Sequence, residues 1–177
     1  VIFTFDAFIT DAAGNVTLGS TSSDQLEVDE ILPIANDISD LTTTGGNVTA
    51  GYWNLENTGV DITVPMTNDL TLTGGSLQIS GDLVFGDGIF ETFAVSQTIV
   101  SPTGPVSISI PDTEIESLEG GAGFVDGLTI EFRAIVTDVA GNEATSNTGA
   151  VTLLIDRELP AAQEITDIVV RGTNEVD

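Results

Sequence analysis

The chain has 177 residues, of which 28 are acidic and three are arginine (Arg133, Arg157 and Arg171), with no lysine, histidine or cysteine and a formal net charge of −25. Such a surface repels nucleic acid and anionic membranes, which are bound through clustered Lys and Arg, and it repels itself unless cations screen it. The missing residue types also exclude disulfides, thiolate metal sites, a Lys-Asn isopeptide brace, and any histidine, cysteine or lysine acting as catalytic base or nucleophile.

In chain order, the opening segment from Phe5 reads as two strands joined by the turn TDAAGN (10–15), followed by the acidic linker VDEILP (28–33). An opening strand of a new unit is expected near residues 38–43. Tyr52 and Trp53, the chain's single Tyr and single Trp, are expected to plug one end of a core rather than to form a sugar-stacking platform. Runs of Val, Ile, Thr and Phe with period-two alternation then predict strands at residues 60–65 (VDITVP), 76–79, 90–100, 106–110 (VSISI), 128–137 (LTIEFRAIVT) and 150–156 (AVTLLID). Glycine and proline clusters at 74–75, 86–88, 102–105 and 120–121 supply turns, and FGDGIF (85–90) reads as a hairpin. One helical turn is expected through TEIESLE, capped by Thr113 with Glu116 three residues on. No run of about 18 apolar residues occurs, so no membrane-inserting segment is expected, and any export signal or anchor would lie outside this stretch.

The opening segment recurs. The stretch from Phe5 aligns without a gap with FRAIVTDVAGNEATSNTGAVTLLIDRELPAAQEITD from Phe132, so that Asp11 and Asp138, and Pro33 and Pro160, each stand 127 residues apart. A repeat of domain size is the mark of a tandem array. The expected organisation is therefore residues 1–33 as the final hairpin and linker of a preceding repeat, 34–157 as a complete repeat, and 158–177 as the linker and first strand of the next. About seven strands in the complete repeat, with regular turn signals, predict an all-β fold: a Greek-key β-sandwich of the immunoglobulin type.

TDAAGN and TDVAGN, each followed by an acidic strand end leading to proline (VDEILP and IDRELP), resemble the last two strands and linker of the bacterial immunoglobulin-like repeats of giant cell-surface adhesins. The segment AGYWNLENTGVDITVPMTND (50–69) is similar to the opening of such a repeat in very long secreted proteins of the Bacteroidetes type. The resemblance implies an extracellular, cell-surface location. It implies a structural spacer role in an adhesin or filament, with adjacent repeats of the same chain, and other copies in a filament, as partners. A glycan- or ligand-binding module and a strand-exchange filament subunit are the alternatives; no enzymatic role is expected.

The acidic residues suit a hard cation, since calcium takes six to eight oxygen ligands from carboxylates, carbonyls and amides. In an immunoglobulin-like sandwich the turn between the last two strands lies where the chain enters the domain. Asp138 and Asn142 are therefore expected beside the entering linker, which offers Asp29, Glu30, Asn36, Asp37 and Asp40. Asp11 and Asn15 would serve one junction earlier, and Asp156, Glu158 and Asp167 one junction later. Structural calcium at these junctions would limit bending. Equally, Asp and Asn in a tight turn bond their own backbone, with Gly14 or Gly141 supplying a positive φ, so TDxAGN can be a turn device alone.

Overall fold

A computed structural model describes residues 1–83, 88–121, 124–147 and 151–166 of the chain. The fold is all-β. The amino-terminal segment is a two-stranded antiparallel ribbon in two parts: β1 (Ile2–Thr4) pairs with β4 (Gln25–Glu27), and β2 (Phe8–Thr10) with β3 (Val16–Leu18). None of its side chains joins the buried core, whose members run from Ile38 to Ile155.

The rest is a sandwich of two sheets. One has the order β10-β7-β5, from β5 (Asp40–Thr44), β7 (Gly59–Val64) and β10 (Val106–Pro111). The other has the order β6-β13-β11-β8-β9, from β6 (Tyr52–Trp53), β8 (Ser76–Leu83), β9 (Glu91–Thr98), β11 (Thr129–Thr137) and β13 (Thr152–Ile155), with β12 (Glu143–Thr145) also beside β11. Pairing is antiparallel throughout, except where β6 runs parallel to β13. Period-two alternation decides which side chains meet between the sheets. Ile130, Phe132, Ala134 and Val136 of β11 face Val60, Ile62 and Val64 of β7 and Ile108 and Ile110 of β10 across one buried core. Phe93 and Phe132 lie tilted against each other with ring centroids 6.3 Å apart.

The strands expected from alternation are present, with β8 longer than expected. Among the described residues the sandwich has nine strands rather than seven, because the two-residue β6 and the three-residue β12 carry too little pattern to be recognised in isolation. Half of the expected FGDGIF hairpin, residues 85–87, lies outside the described residues, although β8 and β9 pair antiparallel on either side of it. The capping box does not form. Pro111, extended at φ −72° and ψ 159°, is the N-cap of α1 (Asp112–Ile115) and offers no side-chain cap, so the helix begins before Thr113 and Glu116 falls at its C-terminal end. The Glu116 carboxylate instead pairs with the Arg157 guanidinium at 3.3 Å. Trp53 is fully buried and meets Phe124 edge-on at 6.1 Å, while Tyr52 stays partly exposed, so the aromatic pair packs the core rather than presenting two stacking faces. Among the described residues, no helix is long and apolar enough to cross a membrane.

Candidate functional site: the linker and turn junction

The two copies of the repeat share one hydrogen-bonding pattern. Thr137 pairs with Glu143 and Ile135 with Thr145 in the second copy; Thr10 pairs with Val16 and Phe8 with Leu18 in the first, each position displaced by 127. The outer pairs correspond as well: Thr129 with Leu154 and Glu131 with Thr152 match Ile2 with Glu27 and Thr4 with Gln25. A change of register separates inner and outer pairs identically in both. It is marked by Ser146 N–H donating to the Ala134 carbonyl at 2.8 Å and Gly19 N–H to that of Ala7 at 2.7 Å.

The turn joining the inner pairs is built on an Asp and an Asn four residues apart. The Asp138 N–H donates to the Asn142 carbonyl at 3.0 Å, and Gly141, at φ +94°, takes the left-handed conformation that closes the loop. Oδ1 of Asp138 accepts the Asn142 N–H at 2.8 Å, and Oδ2 accepts Asn142 Nδ2 at 2.9 Å. In the first copy Asp11 Oδ1 accepts the N–H groups of Ala13 at 2.9 Å and Asn15 at 2.8 Å, and Oδ2 accepts Asn15 Nδ2 at 2.8 Å. The Asn15 side chain, followed by backbone N–H groups, holds the Asp11 carboxyl below its ordinary value. At Asp138 burial pushes the carboxyl up, but the Asn142 side chain and the N–H groups of Asn142, Ala140 and Gly141 outweigh it, and the net direction is again down.

What differs is the surroundings. Asp11 is exposed, whereas Asp138 is 3 % exposed because the second turn packs on the segment just ahead of β8, from the short 3-10 helix Leu70–Leu72 to Gly75. Val139 N–H donates to the Thr71 carbonyl at 3.0 Å. Gly75 passes so close that a Cβ there would collide with the Thr137 carbonyl oxygen.

The second turn also holds the linker. Asn142 Nδ2, already donating to Asp138, donates to the backbone carbonyl of Asp29 at 3.1 Å, across 113 residues of chain. Further along, Asn36 Nδ2 donates to the Pro65 carbonyl at 2.8 Å, and Asp37 Oδ1 accepts the Asn147 N–H at 3.1 Å. Pro33 is buried between these ties. A cavity of about 440 Å³ lies at the junction, lined by Glu27 and Asp29 on the linker side and by Leu70, Thr71, Val139 and Ala140 on the sandwich side.

The structure thus brings Asp138, Asn142 and Asp29 together, and places Asp37 on the same linker. Glu30 and Asp40 are exposed. Asp11 and Asn15 form their own exposed turn. Asp156 and Glu158 lie at the opposite end of the sandwich from Asp138, because β13 pairs with the beginning of the nine-residue β11, about 26 Å from its end. Asp167 lies outside the described residues.

The donor set does not match calcium at the turn. A cation needs converging oxygens, but both Asp138 oxygens face N–H donors, the Asn142 amide turns its NH₂ toward Asp29, and the Asp29 Oδ1 caps the Ile31 N–H at 3.0 Å. Among the described residues, no three acidic side chains gather in a metal-binding arrangement. The local reason is that an Asx-type turn saturates its carboxylate with backbone N–H groups before any ion competes.

One residue escaped the sequence reading. Asp126 Oδ1 accepts the N–H groups of both Arg157 and Glu158, the latter at 3.2 Å, and so ties down the departing linker. Its signal was the Asp126-Gly127 pair, an ordinary turn dipeptide whose partner is set by folding. Two neighbouring cavities at this end, of about 280 and 230 Å³, share Asn54 and Asp156. Comparison with family models and with curated protein sequences finds no match.

Proposed function

We propose that this chain is part of a structural spacer: a string of immunoglobulin-like Greek-key sandwiches in a large extracellular, cell-surface adhesin or filament, joined by linkers too well tied to bend freely. The role is mechanical and non-enzymatic, and the first partners of each repeat are its neighbours in the same chain. The strand orders β10-β7-β5 and β6-β13-β11-β8-β9 support the immunoglobulin-like reading, since the chain alternates between sheets as a Greek key does. The high negative charge favours extension and discourages collapse of neighbouring units onto one another.

The observation that carries this reading is the Asn142 amide. One NH₂ group ties the turn carboxylate of Asp138 to the Asp29 carbonyl, so the device that turns β11 into β12 also fixes the incoming chain. The same turn recurs 127 residues earlier in Asp11 and Asn15, as expected if every junction uses it. Hydrogen bonds, rather than calcium, supply the stiffness in this proposal.

The test is the orientational freedom of the ribbon relative to the sandwich, read by ¹⁵N relaxation on the full chain. Amides of residues 2–27 should tumble with those of the sandwich in the wild type and move more independently in Asn142→Ala. Independent motion already present in the wild type would remove the stiff-spacer reading.

A further inference from the structure

The ribbon at the amino end has an apolar face that nothing in the described structure covers. Phe3, Phe5, Ile9, Leu26 and Val28 are all exposed, from 36 % at Val28 to 77 % at Ile9. Their counterparts 127 residues later are Ile130, Phe132, Val136, Leu153 and Ile155, each at 1 % exposure or less. An edge is open too. The counterpart strand β11 pairs with β8 through eight consecutive residues, from Ile130 opposite Leu83 to Thr137 opposite Ser76. Along residues 3–10 the described residues supply no strand in that place. An apolar face of this size beside an unpaired edge is a surface built for another protein segment.

We infer that residues 1–28 are the closing hairpin of a second sandwich, and that their open face and edge accept a segment with the strand pattern of residues 34–127. This deepens the array reading above and rests on it. The second copy of the repeat specifies the occupant position by position. A strand alternating like β8, with apolar residues where Leu77, Ile79 and Leu83 stand, lies along residues 3–10. A ring in the place of Phe93 meets Phe5, as Phe93 meets Phe132. A three-stranded sheet like β10-β7-β5 closes over Phe3, Ile9 and Leu26. A second copy of this chain is a poor occupant, because its own residues 34–127 already carry β11 and β13.

The residues on the ribbon's other face remain outside this interface. Phe8 and Leu18 pair directly across the strands and correspond to Ile135, which is outside the core cluster though only 9 % exposed, and to Thr145, which is exposed. Protection of the edge amides therefore reports the proposed docking, whereas a general loss of exposed apolar surface does not.

The experiment extends the full chain at its amino end with a second copy of residues 34–127, joined directly to Val1 so that the 127-residue register continues. Hydrogen exchange is followed at residues 3–10 and 130–137. In the extended protein the amides of residues 3–10 should slow by about 100-fold or more, from the range of local fraying toward that of global opening. Phe5→Asp in the extended protein should restore fast exchange at residues 3–10 and leave residues 130–137 unchanged. Equal exchange at residues 3–10 with and without the extension overturns the proposal. So does an unextended chain that is dimeric with these amides already protected, since a second copy would then be the occupant. Junction mobility in Asn142→Ala is measured separately, so the spacer reading and this one can fail independently.

Discussion

Replacing Asp138 by Ala tests the central device against an internal control. The substitution removes an acceptor that holds the Asn142 N–H at 2.8 Å and Asn142 Nδ2 at 2.9 Å, in a turn where Asp138 is 3 % exposed. Hydrogen bonds to a charged group contribute about 1.5–3 kcal/mol each, and a buried donor left unpaired costs about 1–3 kcal/mol. The Nδ2 group keeps its bond to Asp29, so chiefly one donor is orphaned, and the expected loss is about 3 kcal/mol. For a domain of this size that lowers Tm by roughly 10 °C. Asp11→Ala removes the same local bonds from an exposed turn and should leave the main thermal transition of the sandwich unmoved. The pH dependence supplies a second reading. The Asp138 carboxyl is held below its ordinary value near 3.8. A depressed folded-state pKa contributes stability that is fully present above the unfolded value and lost as pH falls through the folded one. The difference in urea stability between wild type and Asp138→Ala should therefore be constant from neutral pH down to about 5 and shrink below 3.8. A difference under about 0.5 kcal/mol at pH 7, or one that grows on acidification, would refute the claim that this carboxylate is a buried, N–H-saturated acceptor.

Calcium, magnesium and sodium chloride at matched ionic strength should raise Tm alike, in wild type and Asp138→Ala in parallel, because screening follows ionic strength and not ion identity. A calcium-specific rise that Asp138→Ala abolishes would restore a metal to the junction. Trp53→Ala should cost about 3–5 kcal/mol by calorimetry or denaturant titration, because it empties a fully buried site beside Phe124. Asp126→Ala should speed hydrogen exchange at the Arg157 and Glu158 amides with little change in Tm; unchanged exchange would mean that Asp126 does not hold the departing linker.

Much of this protein was written in its local sequence. Alternation of apolar and polar residues identifies β7, β8, β10 and β11 and says that Ile130, Phe132, Ala134 and Val136 share a face, because side chains on a strand point to opposite sides with period two. The turn at Asp138 was equally legible, since its bonds join residues within four positions of each other and need nothing from the rest of the chain. Tertiary structure alone decided the outcomes that depend on distant partners. The sequence places the Asp138 turn beside the linker, but that the Asn142 amide takes the Asp29 backbone carbonyl, across 113 residues, is decided by how the sandwich presents the end of β11 to the linker. Identical motifs at Asp11 and Asp138 share their local bonds and differ in burial, because local bonding is encoded within the turn, whereas burial is conferred by the strands that fold against it.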